Sequence, residues 1–213
     1  MSPAARPVIG LVGQVCAGKS TVAESFRRRG AAVYEADKLV HALYRREDVK
    51  QDVRARFGAE MFGADGEVDR SKLGARVFAD PAKLKELTEQ VIFPRTRVEL
   101  MRQLEAFRAA SGPNAAPALL LDAPTLLEAG YAQLCDKLLF LSAPKARREA
   151  WAQARNGWSA EELARRDARL GDETAKRARC DEVLENAGSV AELDEKIGRL
   201  WKRWVSGLPA AQG

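Results

Sequence analysis

Long hydrophobic runs and closely spaced cysteines are both missing from this sequence. No apolar stretch approaches the roughly 20 residues that a membrane-spanning helix needs, and residues 1–7 hold no hydrophobic segment typical of a signal peptide. The three cysteines, Cys16, Cys135 and Cys180, are odd in number and far apart, which fits neither a disulfide framework nor a zinc site. These absences predict a soluble, cytoplasmic protein.

A large excess of one charge is also lacking. Lysine and arginine total 35 against 30 acidic residues, a net charge of +5, and the basic residues are scattered among the acidic ones. This balance suits a protein that handles polyanionic small molecules, and no basic stripe interleaved with aromatic residues indicates nucleic-acid binding. We expect a monomer or small homo-oligomer with neither nucleic acid nor membrane as a partner.

Five short apolar runs predict buried strands, at residues 8–12, 31–34, 118–121, 137–141 and 183–184. Helical periodicity separates them, and the stretch from 48 to 110 is mostly helical, with breaks predicted at 63–66, 80–81 and 93–94. Alternating strands and helices predict an α/β fold with a mainly parallel sheet. The chain is long enough for one substantial core and a small subdomain.

Two helix starts can be recognised late in the chain. Ser159 and Ser189 are each followed three residues later by a glutamate, Glu162 and Glu192, which is the pattern of a capping box. The region 155–179 is predicted to be helical and is rich in arginine. Residues 206–213 are predicted to be a disordered tail.

The segment Gly13–Thr21 matches the complete G-x4-G-K-[ST] pattern between a predicted strand and a predicted helix. Its glycines let the backbone N–H groups approach phosphate oxygens closely. Lys19 would bridge the β- and γ-phosphates of ATP, and Ser20 would bind Mg²⁺. The predicted ATP-binding residues of this loop are Gly13, Cys16, Ala17, Gly18, Lys19, Ser20 and Thr21.

Two aspartates each follow a predicted strand at its carboxyl end, where open parallel sheets bind ligands. Asp37 is a candidate to accept the proton of an acceptor hydroxyl or to contact the substrate, and Asp122 is a candidate to orient Mg²⁺ through water. The alternative for each is a helix N-cap, a position that aspartate favours.

A kinase is favoured over a nucleotide switch by the arginines of the late helical region. A lid needs arginines to stabilise the transferring phosphoryl group and to exclude water. The alternative is a solvated helix face, and most of these arginines fit it.

Several further motifs, in the same order along the chain, resemble those of the dephospho-coenzyme A kinase family. Besides the phosphate loop they are Glu35-Ala36-Asp37, Phe78-Ala-Asp-Pro81, Leu121-Asp-Ala-Pro-Thr-Leu-Leu-Glu128 and Cys180-Asp-Glu-Val-Leu-Glu-Asn-Ala-Gly188. The resemblance covers the whole chain and implies a kinase that phosphorylates the ribose 3′-hydroxyl of dephospho-coenzyme A with ATP and Mg²⁺.

The same resemblance implies a P-loop NTPase-type sheet of five parallel strands, flanked by helices, in a single domain. Its core would comprise residues 6–47, 117–150 and 180–205, with a helical coenzyme-binding insert at 48–116 and a lid at 151–179. It further implies Asp37 as the base or hydroxyl-binding carboxylate and Arg155 as the lid arginine at the phosphates. Glu128 would lie near the acceptor, and Asn186 near the adenine.

The sequence departs from the family pattern at three places. Phe93-Pro94 stands where the family has His-Pro at the acceptor site, and the chain's one histidine, His41, lies elsewhere. Trp151 replaces a lid arginine, and Leu170 replaces a glutamine. Two consequences stay open: transfer is slowed by the loss of a polar lid contact, or nearby arginines take the contact over, namely Arg147, Arg148, Arg165 and Arg169.

Cys16 inside the phosphate loop is a further unusual residue. The start of the following helix can lower the pKa of its thiol, whereas burial would leave the thiol inert, which is the interpretation we favour. Two other functions stay open at this point: a P-loop kinase with a different hydroxyl acceptor, and a nucleotide-binding regulator that has lost catalysis.

Overall fold

A computed structural model describes residues 6–123 and 125–207, and its centre is a five-stranded sheet in the order β2-β3-β1-β4-β5 with every pair parallel. The strands are β1 (Val8–Gly13), β2 (Ala32–Glu35), β3 (Leu119–Asp122), β4 (Lys137–Ser142) and β5 (Glu182–Glu185). The parallel sheet predicted from the five apolar runs is confirmed. Most of the predicted tail lies outside the described residues.

Strand β1 lies at the middle of the sheet because it is apolar throughout. All six of its residues are buried, as expected for a parallel strand covered by helices on both faces. Leu11 is paired with Asp122 of β3, and Gly13 with Leu141 of β4. The carboxyl ends of these three strands therefore meet at one edge of the sheet, the edge at which open α/β sheets bind ligands.

Along the chain, helices separate most successive strands, and a final helix follows β5. They are α1 (Lys19–Arg28), α2 (Ala36–Leu43), α3 (Glu47–Phe57), α4 (Arg70–Phe78), α5 (Pro81–Glu86), α6 (Phe93–Ala109), α7 (Lys145–Asn156), α8 (Ala160–Arg169), α9 (Glu173–Ala178) and α10 (Val190–Trp204). Over the described part of the chain, none of them combines the length and the apolar character that crossing a membrane requires.

The chain forms two compact units. The sheet unit comprises the described residues up to Glu35 and from Phe107 onward, and the helical unit comprises Ala36–Ala106. The sheet unit contains all five strands, and each unit has its own hydrophobic core.

Helices α1 and α10 pack together in the sheet unit near the carboxyl-terminal end of α1. Phe26 and Trp201 meet edge to face, with ring centroids 5.7 Å apart. Asp194 accepts hydrogen bonds from Arg29 at 2.9 Å and from Ser25 at 2.5 Å. These donors, with Arg29 contributing most, hold the pKa of the Asp194 carboxyl well below its usual range.

The helical unit is stabilised by aspartates at helix starts and by an arginine cluster. Asp69 and Asp80 cap α4 and α5 by accepting hydrogen bonds from backbone N–H groups of the first turn. Asp48 accepts hydrogen bonds from Arg46 and Arg95, which lower the pKa of its carboxyl to about 2.

The predicted break at Phe93-Pro94 is wrong, because the chain stays helical from 81 to 109. Residues Leu87–Ile92 form a π-helical segment between α5 and α6. Pro94, which has no N–H to donate, is tolerated at the start of α6, where the hydrogen-bond pattern changes. Arg95 donates to the Val91 carbonyl at 2.9 Å, and Thr96 donates to the Ile92 carbonyl at 3.1 Å.

The arginine-rich region is helical as predicted, but it is broken twice. Helices α7 and α8 are separated at Gly157 and helices α8 and α9 at Gly171, which have φ values of 66° and 75°. Both glycines supply a left-handed conformation that ends a helix without steric cost. Helices α7, α8 and α9 are called the lid helices below.

The two predicted capping boxes have different outcomes. Ser189 and Glu192 form the complete reciprocal pair. Ser159 caps α8 by accepting from the Glu162 N–H, while the Glu162 carboxylate accepts from Arg166 at 2.8 Å. The Glu162 carboxylate, which the sequence pattern assigned to the cap, is therefore bound by Arg166, one turn further along the helix.

Candidate active site

The phosphate loop, Gly13–Thr21, connects the buried end of β1 to the start of α1. A Cβ atom added at Gly13 would lie 2.4 Å from the Leu141 carbonyl oxygen, and one added at Gly18 would lie 2.6 Å from the Asn186 side chain. Gly18 also has a φ of 98°, a conformation that glycine adopts readily. Both glycines are therefore required by the space around the backbone.

Two residues at the start of α1 give the loop its expected affinity for phosphate. Lys19 is the first residue of α1, and its ammonium group donates to the Gln14 carbonyl at 3.1 Å. Ser20 follows it and is exposed. The N–H groups at a helix start and a lysine directed back over the loop form an anion site, so these residues fit a bound triphosphate.

Ala17 and Asn186 anchor the middle of the loop to the core. Ala17 is fully buried, and its carbonyl accepts a hydrogen bond from the Asn186 side chain at 3.0 Å. Asn186 is itself 5% exposed. It directly follows β5, and its backbone N–H donates to the Ser142 carbonyl at 2.8 Å. Asn186 therefore supports the phosphate loop, and its contact with adenine stays a prediction.

Cys16 adopts a left-handed backbone conformation with a φ of 56°. Burial raises the pKa of its thiol, and this effect exceeds the opposing influence of the nearby Lys19, Arg148 and Arg155 charges. The thiol is therefore protonated at neutral pH, which supports the inert interpretation.

Asp122 is the last residue of β3 and lies at the same sheet edge as the phosphate loop, since β3 and β1 are neighbours. A Ser20 hydroxyl and an Asp122 carboxylate supply the oxygen donors that Mg²⁺ prefers. Within residues 6–123 and 125–207 no group of three or more His, Cys, Asp or Glu side chains forms a metal cage. The donors present fit a Mg²⁺ ion that takes its other ligands from water and phosphate.

The arginines of α7 differ in their surroundings. Arg148 is buried, with 7% of its surface exposed, and donates to Asp167 of α8 at 2.6 Å and to the carbonyl of Val15 in the phosphate loop at 3.3 Å. Arg155, the lid arginine implied by the family resemblance, is exposed in the last turn of α7. Its role stays a prediction, while Arg148 is the arginine in contact with the loop.

Trp151 packs where the family pattern places an arginine. Its Cζ3 atom lies 4.0 Å from the position that a Cβ of Gly18 would occupy, and its ring packs against the core of the sheet unit. Arg147 lies over the indole ring, 4.9 Å from its centroid. The tryptophan therefore supports the phosphate loop by packing.

A cavity of about 250 Å³ lies between the phosphate loop and the lid helices. Gln14 spans its edge: its side-chain nitrogen donates to Glu173 at 2.7 Å, and its side-chain oxygen accepts from the Ala143 N–H at 2.9 Å. The lining residues are Gly13, Gln14, Phe140, Asp167, Ala168, Leu170, Gly171, Glu173 and Lys176.

Glu128 forms an ion pair with Lys176, which also lines the cavity. The lysine side chain is only 12% exposed and that of Glu128 is 38% exposed. The structure thus brings the predicted acceptor residue Glu128 to a lysine of α9 that the sequence interpretation had not singled out.

The other predicted acceptor residues belong to the helical unit. Asp37 is exposed in the first turn of α2, and His41 is exposed one turn later. Phe93 is half-buried against the core of that unit, and Pro94 beside it is exposed. The roles of Asp37, Phe93 and Pro94 stay predictions.

Four residues around the phosphate loop gain importance from the structure: Gln14, Arg148, Asp167 and Lys176. Gln14 occupies an x position of the G-x4-G-K-[ST] motif, where any residue is accepted, so the motif predicts no role for it. Arg148 was one of four arginines that the sequence offered as substitutes for Trp151. Burial, which distinguishes Arg148 from the others, depends on tertiary packing and cannot be obtained from composition.

Comparison with known proteins agrees with this geometry. The family model for dephospho-CoA kinase matches residues 7–192. A dephospho-CoA kinase of Anaeromyxobacter dehalogenans is 39% identical over 197 residues, covering 91% of this chain and 90% of that protein. One of Symbiobacterium thermophilum is 34% identical over 201 residues, covering 94% of this chain and 82% of that protein.

A solved structure extends the likeness to three dimensions. A crystal structure of a Thermus thermophilus protein superposes with a TM-score of 0.77 at 32% identity, covering 95% of this chain and 98% of that one. Sheet order, phosphate loop and similarity along nearly the whole chain agree, and the protein belongs to the dephospho-CoA kinase family.

Proposed function

We propose that this kinase transfers the γ-phosphoryl group of ATP to the ribose 3′-hydroxyl of dephospho-coenzyme A and releases coenzyme A, in the cytoplasm. The observation that carries the proposal is the phosphate loop, whose two glycines leave no room for side chains and whose Lys19 reaches back over the loop. Family membership supports the choice of acceptor.

The loop binds the triphosphate through its backbone. N–H groups at the start of α1 point toward phosphate oxygens, and Lys19 exchanges the Gln14 carbonyl for the β- and γ-phosphates. Because Ala17 and Asn186 anchor the loop, these donors are held in place before the nucleotide arrives. Such preorganisation stabilises the charge that develops during transfer.

Bound Mg²⁺ supplies charge neutralisation at the leaving phosphate oxygens. Ser20 would hold it directly, and Asp122 would hold it directly or through water. Both residues belong to the sheet unit and lie at the carboxyl edge of the sheet.

The acceptor side of the reaction is assigned to Asp37 and to the coenzyme-binding insert predicted at 48–116. The Asp37 carboxylate would accept the proton of the 3′-hydroxyl as its oxygen attacks the γ-phosphorus. Glu128, Phe93 and Pro94 would contact dephospho-coenzyme A, Asn186 would lie near adenine, and Arg155 would reach the phosphates.

The test is transfer of labelled γ-phosphate from ATP-Mg to dephospho-coenzyme A by the purified protein, with the product identified by mass. Conversion to coenzyme A is the expected result. ATP binding without conversion would contradict the acceptor and favour another hydroxyl substrate or a regulatory role.

Two variants with matched controls assign the roles. Lys19→Ala is expected to abolish transfer, while Lys145→Ala, which removes a lysine that is 81% exposed on α7, leaves it unchanged. Asp37→Asn is expected to keep ATP binding and lose transfer. Its control is Glu47→Gln, which changes another exposed carboxylate in the first turn of a helix; normal turnover by Asp37→Asn would refute the assignment.

A further inference from the structure

A carboxylate of the lid helices occupies part of the phosphate loop. One oxygen of Asp167 accepts the backbone N–H of Val15 at 3.3 Å, and the other accepts from Arg148 at 2.6 Å. Val15 lies two residues after Gly13 in the loop. A negatively charged group of the chain itself is therefore bound to a backbone donor of the segment proposed to bind phosphate.

Arg148 is buried and only partly satisfied in this arrangement. Its side chain is 8% exposed, and its Nε atom is buried without a hydrogen-bond partner anywhere in the described chain. An unmet hydrogen-bond donor on a buried cation destabilises the arrangement that leaves it unmet. A ligand with several oxygens of high negative charge can satisfy a guanidinium group more fully than one carboxylate does.

The two lid carboxylates on the loop are held by helices that border a cavity. Glu173 of α9 binds the Gln14 side chain, and Asp167 of α8 binds the next residue, Val15. Both carboxylates line the cavity of about 250 Å³, and Gly171 between their helices has a φ of 75°. The same cavity therefore borders Asp167 and the first residues of the phosphate loop, Gly13 and Gln14.

We propose that Asp167 is a resident anion that the nucleotide displaces. The triphosphate would take the Val15 N–H from Asp167, and Arg148 would exchange the Asp167 carboxylate for a phosphate oxygen. Arg148 is then a phosphate-binding residue and Asp167 is a positioning residue that keeps Arg148 at the loop in the free protein. No covalent bond changes in this exchange. The inference rests on the proposed function, since it takes ATP as the ligand of the loop.

Displacement of Asp167 and a purely structural ion pair predict opposite changes in ATP affinity when Asp167 is lost. If the pair only stabilises the fold, loss of either partner weakens nucleotide binding in the same direction, through the same loosened structure. If Asp167 competes with phosphate, its loss strengthens binding, while loss of Arg148 weakens binding.

The experiment measures the dissociation constant of ATP-Mg by calorimetry for the full chain and for two variants. Asp167→Asn keeps the volume of the side chain and removes its charge, and we expect binding to tighten severalfold. Arg148→Met keeps the length of the side chain and removes its charge, and we expect binding to weaken by about tenfold or more, the loss typical of a charge-assisted hydrogen bond. Inorganic tripolyphosphate, used as a second ligand, is expected to follow the same order.

A matched control comes from the same helix. Glu162→Gln removes a carboxylate of α8 that pairs with Arg165 and Arg166, and it is expected to leave the affinity for ATP unchanged. Unchanged or weaker binding by Asp167→Asn, or equal affinity in the Asp167 and Arg148 variants, would overturn the proposal. If Arg148→Met does not fold, Asp167→Asn alone decides, since only the displacement model predicts tighter binding.

The two proposals fail separately. Wild-type protein that does not bind ATP would refute the proposed function. Wild-type protein that converts dephospho-coenzyme A, together with an Asp167→Asn variant of weaker affinity, would refute the displacement of Asp167 alone.

Discussion

The phosphate loop and the lid helices face the same cavity, but the loop lines it with backbone groups and the lid helices line it with charged side chains. The loop presents its backbone and leaves no space for side chains at Gly13 or Gly18. The lid helices present charged side chains in pairs, such as Arg148 with Asp167. A site built from backbone groups is thus defined by local geometry, whereas a site built from side chains is defined by partners far away in the chain.

The largest effect is expected from a methyl group on the loop backbone. In Gly13→Ala the new Cβ would meet the Leu141 carbonyl oxygen, which cannot move without disturbing the β1–β4 pair. We expect loss of ATP binding and a fall of several kcal/mol in the free energy of unfolding, as for overpacked cores. Denaturant unfolding and calorimetry measure both.

The matched control is a glycine of the lid helices. Gly157 has a φ of 66° and open space around its Cα, so Gly157→Ala is expected to cost about 1 kcal/mol and to leave ATP affinity unchanged. Equal effects of the two substitutions would remove the distinction between loop and lid helices.

The next largest effect is expected at Asn186, where a side chain serves the loop backbone. In Asn186→Leu the buried carbonyl of Ala17 loses its donor, at a cost of about 1–3 kcal/mol in stability. ATP affinity is expected to fall as well, because the loop loses an anchor. Asn114→Leu, which changes an exposed asparagine between α6 and β3, is the control; a similar loss there would contradict the anchoring role.

A smaller effect is expected from the ion pair between Glu128 and Lys176. A double-mutant cycle with Glu128→Gln and Lys176→Met is expected to give a coupling free energy of about 1 kcal/mol, because the lysine is largely buried. The exposed pair of Lys145 and Glu149, one turn apart on α7, should give about 0.3 kcal/mol. Equal couplings would show that burial does not strengthen the first pair.

The smallest effect is expected from Cys16→Gly. Glycine relieves the left-handed conformation of Cys16 but adds freedom to the unfolded chain, and the two effects nearly cancel, to within about 0.5 kcal/mol. Thermal unfolding is expected to change by about 2 °C or less. A large loss of ATP affinity would show that the thiol takes part in binding, contrary to the backbone character of the loop.

The sequence predicted the sheet and the phosphate loop well, for a local reason. Five apolar runs are sufficient to identify buried strands, and the loop motif fixes the backbone geometry of Gly13–Thr21 by itself. Local patterns also predicted the helix starts at Ser159 and Ser189. The predicted break at Pro94 was wrong, because a π-helical segment precedes α6 and the chain stays helical at a proline that would end a regular helix.

The lid chemistry was harder to predict, because it depends on which face of α7 packs against the loop. Arg147 and Arg148 are adjacent in sequence, yet one lies over the ring of Trp151 and the other is buried beside Val15. Spacing gives the helical periodicity but not the direction in which the helix faces. Asp167 carried no signal for the same reason.

Trp151 gives the protein an optical probe of its own. Its indole ring lies near Gly18 and under the guanidinium group of Arg147, so its emission depends on the local field at the phosphate loop. Nucleotide entering the loop is expected to change that emission without any attached label. Stopped-flow fluorescence can therefore time the arrival of ATP in the native chain. Trp151→Phe, which keeps only the emission of Trp158, Trp201 and Trp204, is the reference that isolates the Trp151 signal.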